Sequence, residues 1–113
     1  MLSEERKQKN RENLGKRLKD ARVAQGYTQK ALADALDLEY YTMISQMELG
    51  YVSIPASLWR SIADILHMDK ADWSLRCLYE YSPEVYEALF DKRSLAEISG
   101  VLTKIRKGHP TTT

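Results

Sequence analysis

Residues 28–50, TQKALADALDLEYYTMISQMELG, constrain this chain more than any other stretch. Thr28 is a helix-capping residue with Gln29 in the first turn behind it, and Ala31, Leu32, Ala35 and Leu36 recur at the spacing of one inward helix face. Asp37 and Leu38 break the pattern, so a turn of three to four residues is expected there. Its corner favours a left-handed backbone, which Asp adopts less readily than Gly or Asn. A second helix is expected from residue 39 or 40 to Leu49, with Gly50 ending it. The small residues Ala31, Ala33 and Ala35 suit a close helix crossing. Leu38, Ile44 and Met47 supply the apolar side of the second helix, while Tyr40, Tyr41, Thr42, Ser45 and Gln46 crowd its other face with polar, uncharged groups. Such a face suits the donor and acceptor pattern of base edges in a DNA major groove. For Tyr40, packing in the core or turn is an equal reading.

The rest of the chain also reads as helix. From Ser3 to about Gln25, Ser3 can cap a helix, Glu4 and Glu5 favour its positive end, and Gly26 stops it. Residues 3–13 carry almost no apolar side chain, so they form either a basic arm for phosphate or a solvated helix end. Leu14, Leu18 and Ala21 then define an inward face. Pro55 opens a helix through about His67, with Leu58, Ile62, Ile65 and Leu66 as its stripe, widened by Trp59 and Ala63. Asp69 and Asp72 make a capping pair for a helix burying Trp73, Leu75, Leu78 and Tyr79. Ser82, Pro83 and Glu84 start a short helix with Val85, Tyr86, Leu89 and Phe90. Ser94 caps a last helix whose Leu95, Ile98, Leu102 and Ile105 follow the 3-4-3 spacing of a coiled-coil-like seam, and the end from Gly108 is expected to be disordered.

Composition removes several function classes. No apolar run approaches the ~20 residues needed to span a bilayer, and MLSEERKQKNREN lacks the apolar core of a secretion signal, so no membrane role and a cytoplasmic location are expected. A single cysteine, Cys77, forms no internal disulfide and no multi-cysteine zinc site, and His67 and His109 have no metal-ligand spacing. Cys77 has no nearby His with an orienting acid, and there is no Gly-rich phosphate loop or paired-carboxylate cleft, so neither an enzyme nor a cofactor is expected. His67 reads as a helix-end dipole partner, Trp59 and Trp73 as core, and Met43 and Met47 as gap fillers. Net charge is +1, but unevenly spread: residues 1–30 hold nine Lys/Arg against four Asp/Glu, residues 31–91 three against eleven, and residues 92–113 five against one. The basic ends hint at an anionic partner, and solvated helix faces explain them equally well.

The elements LGKRLKDAR ahead of GYTQ, then ALADAL, ISQMELG, IP and the SIADIL helix together resemble the Xre/Cro-type helix-turn-helix family of bacterial and phage DNA-binding regulators. The resemblance covers about half the chain; LHMDKADW and YSPEVYEALF are similar to an extension found in some bacterial members. It implies an all-α fold, a compact helix-turn-helix bundle of the phage-repressor type with a C-terminal helical extension. The divisions expected are a basic helical arm at 1–13, the DNA-binding domain at 14–68, an extension for dimerisation or packing at 69–107, and a tail at 108–113.

The resemblance also implies roles. Tyr41 and Thr42 match the first base-reading positions and Gln46 a later one, within a base-contacting set of Tyr40, Tyr41, Thr42, Ser45 and Gln46. Gln is shaped for a bidentate pair with adenine, and Thr for contact with a thymine methyl. Gln29 matches a phosphate contact, and Lys16, Arg17, Thr28, Lys30, Tyr51 and Ser53 complete the expected phosphate-contacting set. Arg22 and Glu48 match a structural ion pair. Two departures stand out: the segment between Leu38 and Ile44 is one residue longer than the common pattern, and the loop after Gly50, often basic in the family, is YVSI.

The resulting expectation is a sequence-specific regulator of transcription, a repressor, that binds double-stranded DNA as a homodimer through the helix at residues 40–49, and is nucleoid-associated for that reason. Leu95, Ile98, Leu102 and Ile105 are the expected dimer contact, unless that seam packs back on its own domain. The alternative keeps the fold and changes the role to an adaptor or antitoxin-like co-regulator that recognises a protein partner.

Overall fold

The computed structural model describes residues 3–90 and 95–108; the expected cap at Ser94 and the tail beyond Gly108 lie outside them. Within the described residues the fold is all-α, in seven helices: α1 (Ser3–Ala24), α2 (Gln29–Ala35), α3 (Thr42–Glu48), α4 (Ala56–Ile65), α5 (Lys70–Tyr81), α6 (Pro83–Phe90) and α7 (Leu95–Lys107). Thr28 caps α2 by accepting from the Ala31 N–H at 3.0 Å, and Asp69 caps α5 by accepting from Asp72 N–H at 2.8 Å.

The first four helices end in the same way. Gly26, Asp37, Gly50 and His67 hold left-handed backbones, with φ of 77°, 57°, 78° and 56°. The next residue in each case, Tyr27, Leu38, Tyr51 or Met68, donates its N–H to a carbonyl five residues back, at Arg22, Ala33, Gln46 or Ala63. This closes the frayed carbonyls of each last turn and reverses the chain. The turn from α2 to α3 is longer than expected, spanning residues 36–41, because α3 begins only at Thr42. The extra length lies in Glu39, Tyr40 and Tyr41, ahead of the helix.

One core joins Leu14 and Leu18 of α1, Leu32, Ala33 and Leu36 around α2, Ile44 and Met47 of α3, Ile54, Ile62, Ala63 and Leu66 around α4, and Trp73 and Cys77 of α5. α1 runs through residue 13 without a break, as expected of one helix from Ser3, and α5 buries Trp73 and Cys77 completely in this same core. Several inward assignments shift. Ala35 is exposed and Ala33 is buried in its place, while Leu75 and Tyr79 lie on the open side of α5, where Cys77 replaces them inside. On α6, Val85 and Leu89 stay exposed, and α6 packs against α5 with a T-shaped Tyr79–Tyr86 contact, ring centroids 5.0 Å apart. α7 lies along no other described helix over an extended contact and buries no residue.

A tight helix crossing lies at Gly15. A Cβ there would collide with the main-chain carbonyl oxygens of Met47 and Glu48, so α1 and α3 touch backbone to backbone. We expect Gly15→Ala to destabilise the fold by about 3 kcal/mol, since neither carbonyl can give way as a side chain could. Gly100→Ala on α7, where nothing lies within 4 Å of the added carbon, should be neutral or slightly stabilising. Thermal unfolding of the two variants checks the contrast.

Candidate nucleic-acid interface

Two helices joined by a turn, the second showing a solvent-facing polar side, form the centre of this surface. On α3 the buried residues are Ile44, Met47 and Glu48, so the opposite side, Thr42, Ser45 and Gln46 continued by Leu49 at the C-cap, faces outward. Thr42, Gln46 and Leu49 are exposed, and Ser45 is half-buried. Tyr41 is the N-cap residue of α3, with helical backbone and no side-chain cap bond, which makes Thr42 the first helical position. Tyr40 precedes it, and both tyrosines project into solvent with 66% and 53% of their surface exposed, so neither packs into the core.

The outward face is aimed by what lies behind it. Arg22 of α1 grips Glu48 of α3 through two hydrogen bonds, Nε to Oε2 at 2.6 Å and Nη2 to Oε1 at 3.0 Å, and its Nη1 also donates to the Tyr27 carbonyl at 2.8 Å. Gln29 of α2 donates from Nε2 to the same Glu48 Oε1 at 3.0 Å. Three helices thus meet on one buried carboxylate, whose side chain is 3% exposed. One N–H of the Gln29 amide is committed to Glu48 in the free protein, which leaves its second N–H outside this triad.

The loop after α3 is held by α1 and by the end of α5. The Gly50 carbonyl accepts from Arg11 Nε at 3.1 Å and Gln8 Nε2 at 3.3 Å, so residues 3–13 are docked on the domain. Asn10 Nδ2 donates to the Glu80 carbonyl at 2.7 Å, joining that same stretch of α1 to the end of α5. Ile54, buried, is fastened on both sides: its N–H donates to the Tyr81 hydroxyl at 2.9 Å, and its carbonyl accepts from the Trp59 indole at 2.9 Å. Between these anchors Tyr51 and Ser53 stand exposed beside α3. Sequence reasoning missed Tyr81 and Asn10. Only their hydrogen-bonding capacity at half-buried positions distinguishes them, and nothing in the pattern pairs them with residues 27 and 70 positions away.

The expected phosphate contacts do not all converge. Thr28 and Lys30 lie at the start of α2, the end opposite the turn, Lys30 paired at the surface with Asp34 at 3.1 Å. Lys16 is exposed on α1. Arg17 follows Gly15 by two residues, about 200° around the helix, and lines a groove of about 440 Å³ with Asn13, Asp72, Arg76, Tyr79 and Glu80. The structure therefore brings Arg17 to α5 and away from α3. Between residues 31 and 59 there is no Lys or Arg at all.

Geometry of this kind defines a helix-turn-helix unit: α2, a turn and an outward-facing α3, backed by α1 and α4. A family model described as helix-turn-helix matches residues 18–73, and over that stretch the chain belongs to the Xre-like helix-turn-helix family, a family of DNA-binding regulators. No curated protein and no solved structure matches the chain significantly. The match ends at Trp73, so most of α1 and all of α6 and α7 lie outside it. Among the described residues no helix is long and apolar enough to cross a membrane, and no three His, Cys, Asp or Glu side chains cluster as metal ligands.

Burial pushes the Tyr81 phenol up to about 12 from its ordinary 10, and the Cys77 thiol up to about 12 from 9. Both are neutral in the fold and ionise more readily once unfolded, so their contribution is complete below pH 9 and is lost as pH rises through 12. Stability measured by chemical denaturation should therefore hold to about pH 9 and then fall. Tyr81→Phe should cost about 1–2 kcal/mol at neutral pH, because the Ile54 N–H loses its acceptor. It should also reduce the alkaline loss to the part carried by Cys77.

Proposed function

We propose that the chain is a sequence-specific regulator of transcription that reads the major groove of double-stranded DNA with α3, and that represses by occupying its operator. One observation carries this reading. The helix that the family uses for DNA presents Thr42, Ser45 and Gln46 outward while Ile44, Met47 and Glu48 lock its back to the core, so its polar face is rigidly held and open to a duplex. Tyr40 and Tyr41, ahead of the helix, extend the base-contacting set. Thr28, Gln29 through the second N–H of its side-chain amide, Lys30, Tyr51, Ser53 and Lys16 contact flanking phosphates. Arg17 is left out, since it faces α5.

A homodimer supplies the second half-site, roughly 34 Å away along the duplex. Its contact is α7, where Leu95, Leu102 and Ile105 are exposed and Ile98 is half-buried. Ile98, Leu102 and Ile105, with Glu97 and Val101 and with Ala88 and Leu89 of α6, line a largely apolar groove that a second copy can fill. Two-fold pairing would bury this seam without disturbing the core, which α7 does not enter.

The stretch from 31 to 59, which holds Asp34, Asp37, Glu39 and Glu48 but no Lys or Arg, with exposed Tyr40, Tyr41, Tyr51 and Val52, favours a second reading in which the same face docks a protein. Binding of the purified chain to DNA from upstream of its own gene, against scrambled DNA, separates the two. We expect a sequence-dependent complex, weakened by about 1–3 kcal/mol in Gln46→Ala and with relaxed preference. Binding to neither DNA even at low salt would favour the adaptor. Leu102→Glu with Ile105→Glu should leave the fold intact, convert a dimer to monomers in sedimentation, and lose operator affinity.

A further inference from the structure

The outward face of α3 has a composition that selects among base pairs. Thr42, Ser45, Gln46 and Leu49 stand at i, i+3, i+4 and i+7, one stripe of a helix, and none is charged. Guanine is read most often by Arg or Lys across its O6 and N7 acceptors, and no cation exists on this face or anywhere from residue 31 to 59. Cytosine's amino group is read by a carboxylate. Glu48, the only one on α3, is turned inward and held by Arg22 and Gln29, and Glu39 stands in the turn before the helix. Adenine and thymine have readers here: the Gln46 amide matches adenine N6 and N7, and the Thr42 methyl matches the thymine C5-methyl.

Leu49 extends that logic. Its isobutyl group is 54% exposed at the end of the polar stripe, and the exposed Tyr51 and Val52 follow it. A solitary surface leucine is ordinary. This one lies on the face that points away from the core, three residues and hence about 4.5 Å along the helix from Gln46, close to the ~3.4 Å step between bases. An aliphatic group so placed meets the neighbouring base pair and can recognise only an apolar feature there. The single apolar feature a base pair shows in the major groove is the thymine methyl.

We propose that Leu49 is a specificity-determining residue which reads a thymine methyl beside the adenine held by Gln46, so that each half-site centres on A·T pairs. The inference rests on the DNA-binding reading above. The experiment uses the full chain and a randomised duplex pool: bound duplexes are selected, and each thymine of the recovered half-site is then replaced by uracil, which lacks only the methyl. We expect an A·T-rich core, and beside the adenine a thymine, separate from the one matched to Thr42, whose replacement weakens binding about fourfold, the worth of one buried methyl group. In Leu49→Ala that uracil penalty should vanish, while Leu49→Met, which keeps an apolar tip, should retain it. A guanine-centred selected site, or a specific complex indifferent to uracil at every position in the wild type, overturns the assignment of Leu49 and leaves DNA recognition standing. A pool from which nothing is recovered overturns both.

Discussion

A carboxylate as deeply buried as Glu48 survives only when its lost hydration is replaced in full. Here Arg22 supplies two hydrogen bonds and Gln29 a third, from the helices on either side. The geometry this demands is strict, because three helices must converge to within hydrogen-bond distance of one group. Gly15 makes the convergence reachable by letting α1 rest on the carbonyls of α3, with Arg22 seven residues further along the same side of α1. The direction in which α3 presents Thr42, Ser45 and Gln46 follows from that junction. A salt bridge of this kind adds little to stability compared with an apolar pair of equal shape. Its contribution is the orientation of a helix seven residues long, too short to hold its own direction.

Much of the fold was readable from local signals, because those signals have local causes. Caps at Thr28 and Asp69, stops at Gly26 and Gly50, and the left-handed corner at Asp37 each depend on a few adjacent residues. What escaped were contacts between distant parts of the chain. Gly15 offered a signal that went unused: a glycine inside an otherwise good helix is costly and asks for a packing reason. That α5 joins the core is not legible in its sequence, since helical periodicity tells which face is apolar but not which neighbour it meets. Leu75 and Tyr79 were placed inward on the same grounds, although Trp73 and Cys77 already fill that side. The pairing of Arg22 with Glu48 came from family likeness, as nothing in spacing links residues 26 apart.

The chemistry of the candidate surface was legible in kind and less so in position. That the helix is polar and uncharged outside is plain from its residues. That Thr42, not residue 39 or 40, begins it depends on where the longer turn places its slack, which no propensity decides. Arg17 shows the opposite difficulty. Its charge suited a phosphate, but two residues of helix carry it around to the far side of α1.

The buried Ile54 and the carbonyl of Gly50 have a consequence for how the molecule could have diversified. The residues that satisfy the Ile54 N–H and the Gly50 carbonyl, Tyr81, Arg11 and Gln8, all lie beyond the stretch shared with the family, as does Cys77 in the core. The inherited module and the cooperative folding unit therefore have different borders. A chain trimmed to the module would expose the flank of Trp73 and strand a backbone donor and acceptor in the loop beside α3. Flanking segments in such proteins can be exchanged only with their tethers to that loop. Lineages that swapped their C-terminal helices freely would have needed another way of holding it.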